Sequence, residues 1–355
     1  MKIVRPVTFA LLAASVLGGC SGSASQSPNL PASSAANPPG VSRVAPPFAS
    51  ALPPQMFHPD RRKSWIAADA AKQAQLLFET DLGTGAVDIF ALPGMRLEGQ
   101  ITGLYSPTGD CSDSHGNVWI AELGKSRMLE YSREGKLLHT IVRANLAPWG
   151  CAVNPINGAL AVTNYEGPQY QAGDVLVYAS PSAHPVILRN PEQAVYLEAA
   201  YDRSGNLWVT GYTSSEYSII SACGASRCRT VILRGGSIFS PSTIAWDDRS
   251  HSWVVFDQYC RNMAFTCSYP VSTHGTVGKP TQYLNSVGGA LCQLMQGALV
   301  TTGKETIVVG GDNEYTCLGY KSSSVNRWVY RAGGMPTNYN TGAVVYPWGA
   351  AVSTR

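Results

Sequence analysis

Five side chains with oxygen atoms lie at the starts or ends of short β-rich runs of the sequence. They are Glu122, Asn164, Glu198, Asp257 and Asp312. Carboxylate and amide oxygens are the donors that Ca²⁺ and Mg²⁺ prefer, whereas Zn²⁺ prefers histidine and cysteine. A cation held by such a set could polarise a substrate carbonyl for hydrolysis. The set is therefore a candidate metal site, and the alternative is that these are solvated loop residues.

A second group of candidates consists of tyrosines near the ends of strand-like segments. They are Tyr165, Tyr212, Tyr259 and Tyr315. Tyrosine offers a flat amphipathic surface, which suits contact with a sugar or with another protein. These tyrosines are candidate ligand-binding residues, and the alternative is that they pack over the loops that carry them.

The histidines do not indicate acid–base catalysis. His115, His139, His184, His251 and His274 fall in turns, loops or an outer strand, so no two of them share a position suited to proton transfer. The sequence also has no Gly-x-Ser-x-Gly elbow, phosphate-binding glycine loop or His-Glu-x-x-His motif. Catalytic residues therefore stay unknown at this stage.

One cysteine carries information about the compartment. Cys20 follows a short apolar run, residues 7–17, which begins after two basic residues and is too short for a permanent membrane span. The tetrapeptide that ends in Cys20 resembles the lipobox of bacterial lipoproteins, which implies a signal peptide over 1–19 and a lipid on Cys20. Ser21 then favours the outer membrane in a bacterium with two membranes. The alternative is an ordinary secretory signal with an incidental cysteine.

The other eight cysteines are an even number in a chain expected to be exported, and this favours disulfides. Cys223 with Cys228, and Cys260 with Cys267, are close enough in sequence to close hairpin loops. Spacing alone does not pair the remaining four. The repeat described below suggests two further bonds, Cys111–Cys151 and Cys292–Cys317.

Composition divides the chain into segments. Residues 20–57 are rich in Ser, Pro, Ala and Asn and are expected to be an extended tether. Residues 58–74 are expected to be a short helical or irregular lead-in, and the folded body covers 75–355. The net charge of +3 with 14% charged residues shows no basic stripe, so nucleic acid is not an expected partner.

A repeated turn organises the folded body. An Asp/Asn-rich turn with glycine joins two strands at Asp113, and the pattern returns at Asn154 and Asp202. The period of about 40 to 45 residues is typical of propeller blades, whereas a β-sandwich has no reason to repeat its turn and a β-helix coil is shorter. Weaker copies follow, and we count five whole units.

The two ends of the body supply one further unit between them. The segment from residue 75 lacks a first strand, and the C-terminal segment is a strand without a unit. We therefore predict an all-β fold, a six-bladed β-propeller closed by a C-terminal strand that completes the N-terminal blade. In such a ring the ends of second strands share one rim, where the candidate residues would meet.

The units, most clearly "GNVWIAE" and "GNLWVTG", resemble the NHL-repeat and SMP-30/gluconolactonase-like propellers and, more loosely, virginiamycin B lyase. In SMP-30-like enzymes a Glu, an Asn and an Asp hold a divalent ion in the channel. The resemblance implies Glu122 or Glu198, Asn164 and Asp257 for those positions. The lyase uses a rim histidine and a glutamate, and no rim histidine is evident here.

Two functions follow from these observations. The favoured one is a lipid-anchored propeller of the cell envelope, monomeric, that binds a protein or glycan partner through its rim and touches the membrane only through its anchor. The alternative is a hydrolase or lactonase that depends on Ca²⁺ or Mg²⁺ and acts in the central channel. No cofactor is certain.

Overall fold

The structure is a computed structural model that describes residues 61–143, 146–166, 171–260, 265–281, 283–287, 289–291, 293–302, 305–313 and 323–355. Cys20, Cys292, Tyr315 and Cys317 lie outside the described residues, so the predictions for them stay predictions. The described part is almost entirely β-structure, with two short 3-10 turns. Six antiparallel sheets form the blades of a β-propeller, as the sequence predicts.

The first three blades contain thirteen strands. Blade 1 holds β1 (Trp65–Ile66), β2 (Gln75–Asp81), β3 (Ala86–Leu92), β4 (Arg96–Ile101) and, as its innermost strand, the C-terminal β26 (Pro347–Thr354). Blade 2 runs outwards from the channel through β5 (Pro107–Ser112), β6 (Val118–Glu122), β7 (Arg127–Tyr131) and β8 (Leu137–Val142). Blade 3 does the same through β9 (Pro148–Val153), β10 (Leu160–Glu166), β11 (Ala172–Tyr178) and β12 (Val186–Leu188).

The remaining blades follow the same order. Blade 4 comprises β13 (Val195–Tyr201), β14 (Leu207–Tyr212), β15 (Ser218–Cys223) and β16 (Cys228–Thr230). Blade 5 comprises β17 (Pro241–Asp247), β18 (Ser252–Tyr259) and β19 (Phe265–Val271), and the small pair β20 (Asn285–Ser286) and β21 (Gly289–Ala290) follows it. Blade 6 comprises β22 (Gly297–Thr302), β23 (Glu305–Asp312), β24 (Ser324–Val329) and β25 (Asn338–Thr341).

The ring closes through the pairing of β26 with β2. The two strands are antiparallel, with Leu77 opposite Val352 and Gln75 opposite Thr354. Because β26 is the innermost strand of a blade whose other strands come from the start of the body, neither end of the body leaves its own sheet incomplete. The predicted closure is confirmed.

The repeated turn forms as its sequence predicts. Asp113 Oδ1 accepts the N–H groups of His115 and Asn117, both at 2.8 Å, and Gly116 takes a φ of +81°. Glycine suits this position because a side chain is strained in the left-handed region. In blade 5, where the turn has no glycine, His251 takes the left-handed conformation itself, with a φ of +49°.

Tryptophans fill the spaces between blades. Trp208 of blade 4 stacks on Trp253 of blade 5 with ring centroids 4.8 Å apart, and both side chains are buried. Trp119 of blade 2 is buried in a cluster with residues of blade 3. Burial of such large side chains holds adjacent blades together.

Three of the predicted disulfides are present. Cys223–Cys228 joins β15 to β16, and Cys260–Cys267 joins the end of β18 to β19. Cys111–Cys151 connects the innermost strands of blades 2 and 3, as the repeat suggests. Disulfides of this number indicate an extracytoplasmic compartment.

The lead-in differs in part from the expectation. Ala70–Lys72 is a 3-10 turn, but Trp65–Ile66 forms a strand that pairs with β4 at the outer edge of blade 1. Among the described residues, none belongs to a helix of the length and hydropathy that a membrane crossing requires.

Candidate functional site

The innermost strands begin, and the second strands end, on one face of the ring, which we call the rim face. Six residues occupy equivalent strand-end positions there: Asp81, Glu122, Asn164, Tyr212, Asp257 and Asp312. Glu122, for example, lies opposite Pro107, the first residue of β5, and Asp257 lies opposite Pro241, the first residue of β17. Glu122, Asn164, Asp257 and Asp312 thus lie at equivalent positions of the ring, and the roles proposed for them from the sequence stay predictions.

The strand-end residues hold the loops that enter the innermost strands. Tyr105 N–H donates to Glu122 Oε1 at 2.7 Å, and Ala147 N–H donates to Asn164 Oδ1 at 2.5 Å. Gln293 N–H donates to Asp312 Oδ1 at 3.2 Å. Each acceptor thus fixes the backbone of a connection between blades.

In blades 1 and 5 the strand-end carboxylate accepts two backbone N–H groups of the connecting loop. Asp81 accepts the N–H of Val345 at 2.8 Å and that of Tyr346 at 2.9 Å, so it ties the start of the body to β26. Asp257 accepts the N–H groups of Phe239 and Ser240, both at 2.9 Å. Burial raises the pKa of Asp257, and the backbone hydrogen bonds lower it in part.

The predicted metal ligands are not brought together. Glu122, Asn164, Glu198, Asp257 and Asp312 belong to five different blades, and all but Glu198 use oxygen atoms to accept backbone N–H groups on the rim face. Within the part of the chain that the structure describes, no three His, Cys, Asp or Glu side chains form a group that could hold a metal ion. Equivalent positions in a ring are spread around its circumference, so shared residue type does not imply convergence. The Ca²⁺ or Mg²⁺ site stays a prediction without converging ligands.

Aromatic side chains fill the rim-face end of the channel. This group, the aromatic cluster, comprises Trp149, Tyr165, Tyr212, Tyr346 and Trp348. Trp149 stacks on Tyr165 at 4.4 Å and meets the edge of Trp348 at 5.1 Å, and Trp348 lies 5.7 Å from Tyr346. The cluster joins blades 1, 3 and 4, which lie on different sides of the axis.

The predicted binding tyrosines differ in exposure. Tyr212 is only 1% exposed, and its hydroxyl lies 2.9 Å from the Ser240 hydroxyl, so it supports the rim from within. Tyr165 and Tyr259 are partly exposed. Its place at a strand end made Tyr212 look accessible, but the long connection before β17 covers it.

Sequence reasoning missed four contributors to the rim face. Tyr105 is 40% exposed, with the Lys125 ammonium 4.0 Å from its ring centre, and Val345 is also exposed. Trp149 and Trp348, which form the centre of the aromatic cluster, both occur in Pro-Trp-Gly triplets at the starts of β9 and β26. That repeated triplet is the signal that could have found the two tryptophans.

Below the aromatic cluster the channel widens into a cavity of about 400 Å³ that is lined by all six innermost strands. Its lining ends at residues of the opposite face, which carries the repeated turns and which we call the turn face; among them are Asp202, Arg203 and Asp248. Gln296 crosses the channel at the inner end, where its amide donates to the Asp110 carbonyl at 2.8 Å and accepts the Asp110 N–H at 3.0 Å.

Three buried carboxyl groups lie on the strands around the channel, and we call them the channel acids: Glu79, Asp110 and Glu198. Of these, Asp110 lines the cavity, and Glu79 and Glu198 are near enough to feel its charge. Burial raises the pKa of each well above its usual range. The charge of Asp110 raises the pKa of both Glu79 and Glu198 further. The sequence analysis expects Glu198 on the rim, but it lies inside β13, beneath the aromatic cluster.

Comparison with known proteins identifies the architecture and no family. No family model matches the chain, and no curated protein sequence does. Many solved structures share the fold. A protein of unknown function from Bacteroides caccae superposes with a TM-score of 0.60 at 10% identity, covering 80% of this chain and 100% of that one.

Two other structural neighbours are a protein from a complex and an enzyme. A chain of a nidogen–laminin complex superposes with a TM-score of 0.58 at 14% sequence identity. The match covers 79% of this chain and 98% of the chain from the complex. A streptogramin B lyase superposes with a TM-score of 0.50 at 12% sequence identity. The match covers 84% of this chain and 89% of the lyase chain. At such identities the likeness establishes the six-bladed propeller fold and not an activity.

Proposed function

We propose that this protein is a propeller of the cell envelope that binds a protein or glycan partner through its rim face. Its anchor would be the lipid on Cys20, and the tether over 20–57 would separate the ring from the membrane.

The observation that carries the proposal is how the rim-face side chains are used. The polar strand-end residues accept N–H groups of the connecting loops, so these loops are fixed before any partner arrives. Fixed loops reduce the ordering cost of association, which is a common source of affinity. The rim therefore supports recognition by preformed shape.

The chemistry exposed on that rim suits a partner with flat or apolar features. Tyr105, Tyr259 and Val345 are at least partly exposed around the buried aromatic cluster. Aromatic residues supported by a packed base are typical of the positions that dominate binding energy. One structural neighbour comes from a complex of two proteins, which agrees with a protein partner for a ring of this kind.

The experiment compares tyrosine variants on the rim face with one at the outer edge of the ring. Tyr105→Ala and Tyr259→Ala alter the rim face, whereas Tyr339→Ala removes a tyrosine of β25 that is 48% exposed at the outer edge of blade 6. Surface plasmon resonance would measure binding to immobilised peptidoglycan, purified envelope polysaccharides and purified envelope proteins. We expect the rim variants to weaken binding at least about tenfold and the edge variant to leave it unchanged. The proposal would be contradicted if the rim variants and the edge variant weakened binding equally, or if the rim variants did not weaken it.

A further inference from the structure

The cavity on the turn face contains a buried carboxylate without a partner. Asp110 lines the cavity and is 1% exposed, and neither of its carboxylate oxygens has a hydrogen-bond partner among the described residues. The N–H of Asp110 itself and that of Ala351 are near enough to favour the charged form in part, but neither is in hydrogen-bond geometry with the carboxylate. Buried polar groups are nearly always paired, so this one requires an explanation.

The carboxyl groups nearest to Asp110 add negative charge, and Arg203, a basic residue of the cavity lining, is ion-paired with Asp248 at the turn face. Glu79 has no partner for either carboxylate oxygen, and Glu198 has none for Oε2, among the described residues. No described basic side chain contributes to the pKa of any of the channel acids. The inner end of the cavity is therefore an electronegative region.

We propose that this cavity binds a small organic cation, an amine with an aromatic or apolar body, whose ammonium group donates to Asp110. The site lies on the face opposite the proposed partner-binding rim and does not depend on it. A single carboxylate is enough to pair with an ammonium group, whereas a metal ion needs several oxygen donors that converge.

The size and lining of the cavity agree with such a ligand. Its volume of about 400 Å³ is within the usual range for small-molecule sites. Tyr201 and Trp246 line it and are partly exposed, so they can contact the body of an amine. Asp110 precedes the turn at Asp113 by three residues of extended chain, which places the carboxylate roughly 10 Å from the turn face.

The test uses small probes that differ in charge. Benzylamine and tryptamine carry an ammonium group, and benzyl alcohol and tryptophol are neutral analogues of similar size. Isothermal titration calorimetry and thermal shift on the protein with its disulfides intact would compare the wild type with Asp110→Asn. Asp69→Asn is the matched control, since Asp69 is an exposed acid outside the channel.

We expect at least one amine to bind the wild type with a stoichiometry of one. The same amine should bind Asp110→Asn at least about tenfold more weakly than it binds the wild type. The alcohols should not bind measurably, and Asp69→Asn should behave as the wild type. Because Asp110→Asn could perturb the channel, Ala245→Phe provides a second variant that fills the cavity from its lining. It should also abolish binding while Asp110 is retained.

Three results would overturn the proposal. One is the absence of binding by either amine to the wild type, and another is equal binding to the wild type, Asp110→Asn and Ala245→Phe. The third is stabilisation by CaCl₂ or MgCl₂ alone, lost in Asp110→Asn, without any effect of the amines; this would assign the cavity to an inorganic cation. Binding to immobilised envelope components through the rim is measured separately, so either proposal can fail without the other.

Discussion

At the scale of single residues, the sequence predicted where the strand-end residues lie more readily than which groups they contact. The strand ends were visible in the sequence because apolar strands stop at Asp, Asn or Glu, and the structure places these residues at equivalent points of the rim. Their partners were not visible, since Asp257 accepts the N–H groups of Phe239 and Ser240, whose loop conformation the sequence does not show. A carboxylate that ties down backbone and one that awaits a ligand look alike in sequence.

Glycine is required where the innermost strands approach each other. A Cβ placed on Gly150 would lie 2.3 Å from Glu198 Oε2 and 2.8 Å from the Leu197 carbonyl oxygen. The Glu198 carboxylate would have to shift, and the Leu197 carbonyl oxygen belongs to the backbone of β13 and cannot move away without distorting the strand. This glycine lets blade 3 pack closely on blade 4 around the channel.

Replacement of Gly150 by alanine should therefore cost stability. We expect Gly150→Ala to lower the free energy of unfolding by about 2–3 kcal/mol, because the added methyl group overpacks the channel wall. Chemical denaturation monitored by tryptophan fluorescence would measure it. Gly94→Ala is the matched control, since a Cβ there meets nothing within 4 Å, and it should change stability by less than about 0.5 kcal/mol. A similar cost for both would show that close approach of the inner strands is not the constraint.

At the scale of elements, the repeat specified the hairpins. The Asp113 turn predicted two strands with a fixed hydrogen-bond pattern, and the same pattern recurs at Asp202, where Asp202 Oδ1 accepts the N–H groups of Ser204 and Asn206 at 2.8 Å. The edge strand β1 could not be predicted in the same way. Two residues carry no periodicity, and their pairing with β4 is decided by contact with the outer edge of blade 1.

The disulfides close loops of different lengths between strands. Cys111–Cys151 closes a loop of 40 residues between two blades, whereas Cys223–Cys228 closes a loop of 5 within one hairpin. Chain-entropy arguments assign a larger stabilisation to the longer loop, because the unfolded chain loses more freedom. The bond between blades should therefore matter more to the ring than the bond within a hairpin.

Removal of each bond provides the comparison. We expect Cys111→Ser with Cys151→Ser to cost about 4 kcal/mol, and Cys223→Ser with Cys228→Ser to cost about 2 kcal/mol. Equilibrium unfolding in guanidinium chloride would measure both double variants under identical conditions. If the hairpin variant lost as much stability as the variant between blades, loop length would not explain the role of these bonds.

At the scale of the whole molecule, closure of the ring determines what the two faces can do. β26 forms the innermost strand of blade 1, carries Trp348 of the aromatic cluster and contributes Ala350 to Val352 to the lining of the cavity. Six blades and their closure were predictable from the period of the repeat and the unfinished first unit. The contents of the channel were not, because residues from all six blades meet there and no local pattern records which ones.

The most direct test of this account is a cross-link between the two ends of the body. Gln75 and Thr354 are opposite each other in β2 and β26, and neither is buried, so Gln75→Cys with Thr354→Cys should form a disulfide on mild oxidation. Mass-spectrometric peptide mapping should find the two residues joined, with little joining in a control that pairs Gln75→Cys with Thr341→Cys of blade 6. Free thiols at both 75 and 354, or equally frequent linkage in the control, would contradict the closed ring.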